Sequence, residues 1–511
     1  MTKRYLLGVD LGTTATKAAL YTAGGELISE GRADVPLHHP QPGCVEQDSE
    51  DFYRSAASAV RQCLAAGTVN PSEIAGVAFD SQMAGLGTID DDFRPATRFD
   101  SWLDMRCEKY IEQLKERHAD TITRLTGCPP TCDAGPKVLW WMHERPDEYR
   151  RIAKFVMPAG YVAGRIAGLR ASQAFIDYTF LHFTALADAE RGTWSDELCA
   201  LLGIDRARLP KIVRPWDVVG EVTSDAARDF GLAPGTLVAA GCGDTAAGAL
   251  GAGVVKPGML LDTVGTASVL ACCTDTYVAD RRNRALLTMR SVVPGIWNPL
   301  AYIGGGGLAV RWFRDQFFSP DGTAADAGDP YERMFQMAAG APPACDGLLF
   351  SPHLGGRICP AAPEMRGAWI GFSWGHTQAH LFRSILESVG YEYAYYLSIL
   401  RGLLPDLRFV EARVIGGGAQ SPVWNQMKSD ILRVPYRRVL RSESATWGCA
   451  LIAGVASGLI ADLAEAALAT APVAHESAQP DTRTSAVYAG AIERYLSWQR
   501  RLQDGFKIDA W

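Results

Sequence analysis

One short pattern occurs twice in this chain and constrains its fold more than any other feature. In each copy an apolar run ends in an acid and leads into a glycine–threonine turn. The first copy, VDLGTTATK, starts at Val9, and the second, LDTVGTAS, starts at Leu261. A further apolar run follows each turn, which is typical of a β-hairpin. Because self-similarity along a sequence marks a repeated structural unit, we expect two similar domains, each with such a hairpin.

The residues of the first hairpin suit a phosphate group. Glycine lets the backbone approach a ligand closely, and successive N–H groups in a turn form an anion-binding concavity. Asp10 at the end of the strand could hold a metal ion against the same anion, and Lys17 adds a positive charge. An ordinary hairpin with a polar turn is the alternative, and the first copy alone does not decide between the two. The second copy favours phosphate binding.

The rest of the chain alternates strands with helices, which indicates an α/β protein with a partly parallel sheet. Residues 49–64 are predicted to form an amphipathic helix with Ser49 as its N-cap, and residues 73–80 a buried strand. Residues 137–235 are predicted to be mostly helical. At 511 residues the chain is too long for one typical hydrophobic core, which again favours two domains.

Composition excludes several classes of partner. The net charge is −7 and no basic patch stands out, which argues against nucleic acid and anionic membranes as partners. No apolar run is long enough to span a bilayer, and the start, MTKRYLLGVD, does not resemble a signal peptide.

The cysteines indicate a reducing compartment. The twelve residues form no paired framework, and neither Cys128 with Cys132 nor Cys272 with Cys273 has the second ligand pair of a structural zinc site. We therefore expect mostly buried free thiols and a cytoplasmic protein.

Residues 241–246, GCGDTA, follow a short apolar strand and admit three interpretations. They fit the loose G-x-G-x-x-A dinucleotide pattern, with Asp262 near the spacing of a ribose-binding acid, so an NAD-dependent oxidoreductase is one candidate. A carboxylate in that turn would repel a pyrophosphate, however, whereas Asp244 beside glycines suits a base that accepts a hydroxyl proton in phosphoryl transfer. A helix-capping aspartate without chemistry is the third. The position between two phosphate hairpins favours the base.

A second polar stretch, residues 99–106 (FDSWLDMR), lies ahead of a predicted helix. It could be a sugar platform, in which the flat ring of Trp102 is joined by Asp104 and Arg106. It could equally be a helix entry with acidic residues near the N-terminus, which is the interpretation that the stretch favours by itself.

Four segments together resemble the motifs of the FGGY carbohydrate kinases, in the same order along nearly the whole chain: VDLGTTATK, GCGDTAAGALGAG, DTVGTAS and IGGGAQSPVWNQMKSDIL. The resemblance implies the α/β actin-like ATPase fold, in which two similar ribonuclease-H-like domains enclose a cleft for sugar and ATP. It implies a sugar-side domain at residues 1–248 and a nucleotide-side domain at residues 249–511.

The resemblance also implies a role for each matching residue. Asp244 corresponds to the base that takes the proton from the sugar hydroxyl, and Asp10 corresponds to the carboxylate near Mg²⁺. The groups expected around ATP are Thr13, Thr14, Lys17, Gly265, Thr266, Gly307, Arg311, Gly417, Gly418 and Ser421. Those expected along the sugar, besides Asp244, are Gln82, Met83, Ala84, Trp102 and Asp104.

Within the family, the segments SQMAG, WLDMRC and WSDELC are most similar to xylulokinases. This implies ATP-dependent phosphorylation of a ketopentose such as D-xylulose, with MgATP and the sugar as partners and a homodimer as an option. Ala84 departs from the histidine of xylulokinases, and Thr245 from their asparagine. A lost polar partner changes discrimination among hydroxyl patterns, so ribulose and gluconate stay open as substrates. A nucleotide-binding regulator without turnover is a third hypothesis, against which the intact Asp244 and Lys17 argue.

Overall fold

The computed structural model describes residues 3–318, 329–441 and 443–508. Within these residues, each half of the chain is built on one seven-stranded sheet.

The first half contains fifteen of the described strands and eight of the described helices. The strands are β1 (Tyr5–Leu11), β2 (Ala15–Thr22), β3 (Leu27–Asp34), β4 (Glu46–Gln47), β5 (Ile74–Ser81), β6 (Gly87–Ile89), β7 (Phe99–Asp100), β8 (Lys154–Val156), β9 (Phe175–Asp177), β10 (Ala187–Asp188), β11 (Thr193–Trp194), β12 (Lys211–Val213), β13 (Val218–Glu221), β14 (Leu237–Ala239) and β15 (Cys242–Gly243). The helices are α1 (Ser49–Gly67), α2 (Glu108–Thr126), α3 (Ala134–Glu144), α4 (Pro146–Arg151), α5 (Pro158–Ile166), α6 (Asp196–Leu202), α7 (Ser224–Phe230) and α8 (Asp244–Gly251).

The second half follows the same plan with longer helices. Its described strands are β16 (Met259–Val264), β17 (Ser268–Cys272), β18 (Leu287–Arg290), β19 (Trp297–Ile303), β20 (Leu349–Ser351), β21 (Ala368–Ile370), β22 (Glu411–Ile415), β23 (Tyr436–Val439) and β24 (Val473–Ala478). Its described helices are α9 (Gly306–Phe313), α10 (Pro330–Ala339), α11 (Gln378–Leu403), α12 (Pro422–Leu432), α13 (Ser444–Ala456), α14 (Leu463–Thr470) and α15 (Thr482–Ile508).

The two large sheets have the same topology. In the first, β3, β2 and β1 form an antiparallel meander, β5 and β14 continue it in parallel to β1, and β13 closes the edge. In the second, β19, β17, β16, β22, β23 and β24 take the corresponding places, and β18 extends the edge at β19. The repeat predicted from the two hairpins is confirmed, and it extends to six of the seven strands of each sheet. The predicted α/β class is confirmed with it.

Helices α8 and α13 pack against each other, and α13 also packs on β1 and β5 of the first sheet. Small residues make this contact possible. A Cβ atom on Gly448 would lie 2.1 Å from the carbonyl oxygen of Ala247, and one on Gly251 would lie 1.8 Å from that of Ser444. The predicted boundary between residues 248 and 249 falls inside α8, so a packed helix pair rather than a loose linker connects the halves.

The secondary-structure predictions were more accurate for long elements than for short ones. The helix predicted at residues 49–64 is α1, but its cap is Asp48, whose carboxylate accepts the amide hydrogen of Glu50 at 2.9 Å; the assignment of the cap to Ser49 was wrong. The prediction that residues 137–235 are mostly helical was also wrong in part. Short strands there pair with distant partners, β8 with β6 for example, and such pairing leaves little trace in local sequence.

The cysteines have the predicted state. All twelve are free, and every one except Cys132 is buried. Of the helices in the described ranges, none combines the length and apolar character that crossing a membrane requires.

Candidate active site

The first hairpin carries its acid to the edge of the sheet where β15 leads into α8. Asp10 lies opposite Lys17 in β2 and opposite Asp80 in β5, and Cys242 of β15 lies on the other side of Asp80. The carboxyl ends of parallel strands meet at one edge, so residues from three separate segments converge here. The two acids predicted from the sequence to take part in the chemistry, Asp10 and Asp244, therefore belong to the segments that meet at this edge.

Asp244 is the first residue of α8 and stands at that edge. Both bonds that Thr245 donates to it, from the backbone N–H at 2.6 Å and the hydroxyl at 3.1 Å, go to Oδ1. Burial, with the charge of Asp10, raises the pKa of Asp244 to about 7. A carboxylate with a pKa near neutral can accept a proton from a hydroxyl and release it again. The two bonds hold the side chain and leave Oδ2 for a substrate.

Asp80 is a second, fully buried acid beside Asp10. Its Oδ2 accepts a hydrogen bond from the Cys449 thiol of α13 at 3.1 Å. Burial, followed by the proximity of Cys449 and of Asp10, raises the pKa of Asp80 well above its usual range. The pKa of Asp10 is raised by burial as well, while the hydrogen bond with Asp80 and the charge of Lys17 oppose this rise.

Lys17 reaches across to the second half of the chain. Its Nζ lies 2.8 Å from Oε2 of Glu443, immediately before α13, and both side chains are about one-third exposed at 34% and 32%. The sequence predicted Lys17 beside a phosphate, and the structure adds an acidic partner that holds the ammonium at the edge next to Asp10.

The predicted magnesium site can be tested on the donor set. Magnesium ions prefer oxygen ligands and usually combine one or two carboxylates with phosphate oxygens and water. Asp10 offers a partly exposed carboxylate of this type, whereas no group of three or more His, Cys, Asp or Glu residues suited to a metal occurs among the described residues. The site therefore fits an ion brought in with a nucleotide rather than one held by the protein alone.

On the predicted sugar side, a hydrogen-bonded chain links the first turn to Trp102 and Gln82. The ring N–H of Trp102 donates to the hydroxyl of Thr13 at 3.0 Å, and Gln47 donates to the Thr13 carbonyl at 2.8 Å. Gln82 donates to Gln47 at 2.7 Å. Trp102 is 43% exposed, so its ring presents an open face next to the turn. The structure thus brings Thr13, Gln82 and Trp102 together.

Asp104 is placed differently from Trp102. Its carboxylate is buried, and it accepts hydrogen bonds from the Val45 N–H at 2.7 Å and from the Arg106 guanidinium at 2.7 and 2.9 Å. These contacts fix the loop that presents Trp102.

Met83 and Ala84 directly follow Gln82 in the segment predicted to lie along the sugar. Met83 packs against Gly243, where a Cβ atom would lie 2.6 Å from the methionine sulfur. Ala84 has a φ of +58°, uncommon for a residue with a side chain, and its carbonyl accepts from Lys137 at 3.1 Å. The methyl group lines a small apolar cavity with residues such as Phe180. Position 84 therefore offers a substrate no polar side chain.

The second hairpin borders a cavity of about 810 Å³. All seven residues predicted to hold the nucleotide in the second half line it: Gly265, Thr266, Gly307, Arg311, Gly417, Gly418 and Ser421. The turn and helix α9 approach closely, since a Cβ on Gly307 would lie 2.0 Å from the Gly265 carbonyl oxygen. Ser421 caps α12, accepting the Trp424 N–H at 3.2 Å. Thr13, Thr14 and Lys17 lie outside this cavity, on the first hairpin.

The acid of the second hairpin is not available to a ligand. Asp262 is fully buried; it is ion-paired with Lys428 of α12 and accepts the hydroxyl of Tyr393 at 2.8 Å. The oxidoreductase interpretation needs this carboxylate to bind a ribose. The structure does not support that interpretation.

Several residues of the site were not predicted from the sequence. The large cavity is also lined by residues at the start and along the inner face of α10, namely Asp329, Tyr331, Glu332, Phe335 and Gln336. The sequence signal for these residues is limited to Asp329 followed by Pro330. That pattern predicts the start of a helix but does not indicate a ligand-binding site. Asp80 and Glu443 were missed because their role depends on chain segments far away in the sequence.

Comparison with known proteins agrees with this arrangement. Residues 5–251 match the N-terminal domain of the FGGY family of carbohydrate kinases, and residues 262–457 match its C-terminal domain. The chain is 27% identical over 466 residues to a xylulose kinase of Bacillus subtilis, with 91% of this chain and 90% of the relative covered. It is 29% identical over 468 residues to a gluconokinase of the same organism, with 89% and 88% covered.

A solved structure supports the fold. The ligand-bound xylulose kinase from Lactobacillus acidophilus matches with a TM-score of 0.90 at 22% sequence identity, covering 98% of this chain and 99% of that one. The fold is therefore shared over essentially the full length of both chains.

Proposed function

Because the chain belongs to the FGGY family of carbohydrate kinases, we propose that it transfers the γ-phosphoryl group of ATP to a hydroxyl of a small sugar, with D-xylulose as the first candidate. The observation that carries this proposal is the position of Asp244. It stands at the start of α8 beside Asp10, with one oxygen held by Thr245 and a pKa raised to about 7 by burial and by Asp10.

The steps follow from this placement. The sugar hydroxyl lies against Oδ2 of Asp244, which accepts its proton as the oxygen attacks the γ-phosphorus in line with the leaving ADP. Thr13, Thr14 and Lys17 on the first hairpin surround the transferring group, and Gly265 and Thr266 hold the remaining phosphates. A magnesium ion at Asp10 would neutralise phosphate charge. Closure of the two halves excludes water, which could otherwise accept the phosphoryl group.

The nucleotide lies on the second half in this proposal. The large cavity combines bare backbone at Gly307, Gly417 and Gly418 with Arg311 and the cap residue Ser421. Bare backbone allows close approach of a flat base or a ribose.

The identity of the sugar rests on the residues near Trp102 and Ala84. Trp102 offers an aromatic face, and Ala84 offers only a methyl group. A ketopentose fits a site in which Gln82 and Asp244 form hydrogen bonds with the sugar hydroxyls. Gluconate is the second candidate, and the relationship to a gluconokinase favours it.

A coupled ADP-release assay over D-xylulose, D-ribulose, D-gluconate and glycerol tests both parts of the proposal. We expect the largest kcat/KM with D-xylulose, and sugar-dependent ADP release that is lower by about 10² or more in the Asp244→Asn variant. A preference for gluconate would replace the first candidate by the second. Absence of sugar-dependent ADP release across the panel, in a protein whose melting temperature MgATP raises, would contradict the kinase proposal and favour a nucleotide-binding regulator.

A further inference from the structure

One cysteine differs from the other eleven in accessibility. Cys132 is partly exposed, while the remaining cysteines are buried. It lies in the turn before α3, where its sulfur is 2.7 Å from the carbonyl oxygen of Asp104 and 3.5 Å from that of Trp102. The only thiol that a reagent can reach without unfolding therefore touches the loop that carries the predicted sugar platform.

A fully buried lysine faces this sulfur. The Nζ atom of Lys137 lies 3.0 Å from Cys132 Sγ, and its other two contacts are the carbonyl oxygens of Cys132 at 2.9 Å and Ala84 at 3.1 Å. Within the described parts of the chain, no carboxylate comes within ion-pair distance of Lys137. A buried ammonium is unfavourable without a counter-charge, and the sulfur is the contact that can supply one by ionising.

None of the nearby acids among the described residues contacts the Lys137 ammonium directly. Burial raises the pKa of Asp133 to about 8 and that of Asp100 to about 7. Asp104 is bound to Arg106. Cys132 is thus the ionisable side chain in direct contact with the Lys137 ammonium, at 3.0 Å.

A second thiol completes the cluster. Cys107, the N-cap of α2, is buried. Hydrogen bonding with Cys107, together with the charge of Lys137, lowers the pKa of Cys132 to about 6, and the same interaction raises the pKa of Cys107. As a thiol, Cys132 donates to the Asp104 carbonyl; as a thiolate, it accepts from Lys137 and Cys107.

We propose that Cys132 is a redox modification site, at which a hydroperoxide converts Cys132 and Cys107 into a disulfide that impairs the sugar side of the cleft. In the first step the Cys132 thiolate attacks one peroxide oxygen, the O–O bond breaks, hydroxide leaves, and a sulfenic acid forms. In the second step the Cys107 thiol attacks the sulfenic sulfur, an S–S bond forms, and water leaves with the thiol proton. The two cysteines together lose two electrons, and the peroxide accepts both as its O–O bond breaks.

The consequence for the sugar follows from the contacts, and it rests on the proposed function. Oxidation removes the negative sulfur from Lys137, which also holds the carbonyl of Ala84, and it ties Cys132 to Cys107, three residues after Asp104 in the chain. We expect the KM for the sugar to rise while the KM for ATP stays within about twofold, because the nucleotide cavity is lined by other segments.

The modification itself is tested without any activity assay. Alkylation of the native protein by iodoacetamide, followed by peptide mass spectrometry, should label Cys132 at pH 7 roughly tenfold faster than any other cysteine, with a half-maximal rate near pH 6. After hydrogen peroxide, a peptide cross-linked through Cys107 and Cys132 should appear. In Cys107→Ser the sulfenic acid should persist and react with dimedone. Labelling of Cys132 no faster than that of the buried cysteines would overturn the proposal.

Measurements of kinase activity after peroxide treatment provide the second test of the proposal. Cys132→Ser should keep its own starting activity in peroxide, whereas the parent should lose most of its activity and regain it with dithiothreitol. Cys128→Ser is the matched control, since Cys128 lies four residues away and is buried; it should lose activity as the parent does. Equal losses in parent and Cys132→Ser would overturn the regulatory part. A protein that is labelled as expected but phosphorylates no sugar would instead contradict the proposed function.

Discussion

The two hairpins of this protein share a sequence pattern and a topology but differ in the surroundings of their acids. Asp10 lies between Lys17 and Asp80 on its neighbouring strands, at a partly open edge. Asp262 occupies the corresponding place between two apolar residues, Leu270 and Val414, and is fully buried. Its charge is balanced by Lys428 of α12.

This difference shows that a repeated motif need not keep a repeated role. In the proposed function, the backbone of each turn offers N–H groups to a phosphate. The carboxylate takes part in that proposal only at Asp10, where the neighbouring strands carry polar residues. In the second half, the same acid anchors α11 and α12 to the sheet through Tyr393 and Lys428.

The largest effect that this comparison predicts concerns the base beside the first hairpin. Asp244→Asn should lower kcat by about 10² to 10⁴, since the amide cannot accept the hydroxyl proton. Nucleotide affinity should stay nearly unchanged, because the large cavity lies on the other half. Steady-state kinetics with a saturating sugar, and a binding isotherm for ATP, measure the two quantities. Turnover equal to that of the parent would remove Asp244 from its assigned role.

The next largest effect concerns the buried acid of the second hairpin. Asp262→Asn leaves Lys428 without its counter-charge, and breaking a buried ion pair in this way costs about 3–5 kcal/mol of stability. Urea unfolding should show the loss as a lower midpoint. The double variant Asp262→Leu/Lys428→Met should recover most of it, because no unpaired charge is left buried. If the single variant were as stable as the parent, Asp262 would not have the anchoring role.

A smaller effect is expected in the pH dependence of kcat/KM for the sugar. Asp244 acts as a base only when ionised, and its pKa is raised to about 7, so the profile should fall about tenfold per unit as the pH drops below 7 and level off above. Removing Asp10 takes away one cause of the raised pKa, so Asp10→Asn should move the midpoint to lower pH. The midpoint should not move in Asp262→Asn. If kcat/KM stayed constant down to pH 5, the pKa of Asp244 would not be raised as proposed.

Much of the fold could be predicted from the sequence, because the signals were local. The hairpins, the helix at residues 49–64 and the strand at residues 73–80 each depend on residues close together in the chain. The resemblance to the family's motifs also pointed to the residues that line the second-half cavity. The partners of the acids could not be predicted, because Asp262 and Lys428 are far apart in sequence and meet only after the sheet and α12 pack. The same holds for Asp80 with Cys449 and for Lys17 with Glu443.

The most direct test of the division between the two hairpins is the free energy of unfolding of Asp10→Asn, measured by urea titration next to Asp262→Asn. Asp10 is partly exposed and lies beside another acid, so its loss should change the unfolding free energy by no more than about 1 kcal/mol. Phosphoryl transfer by the same sample should fall by about 10² or more. A loss of stability as large as that of Asp262→Asn, with transfer intact, would contradict the account.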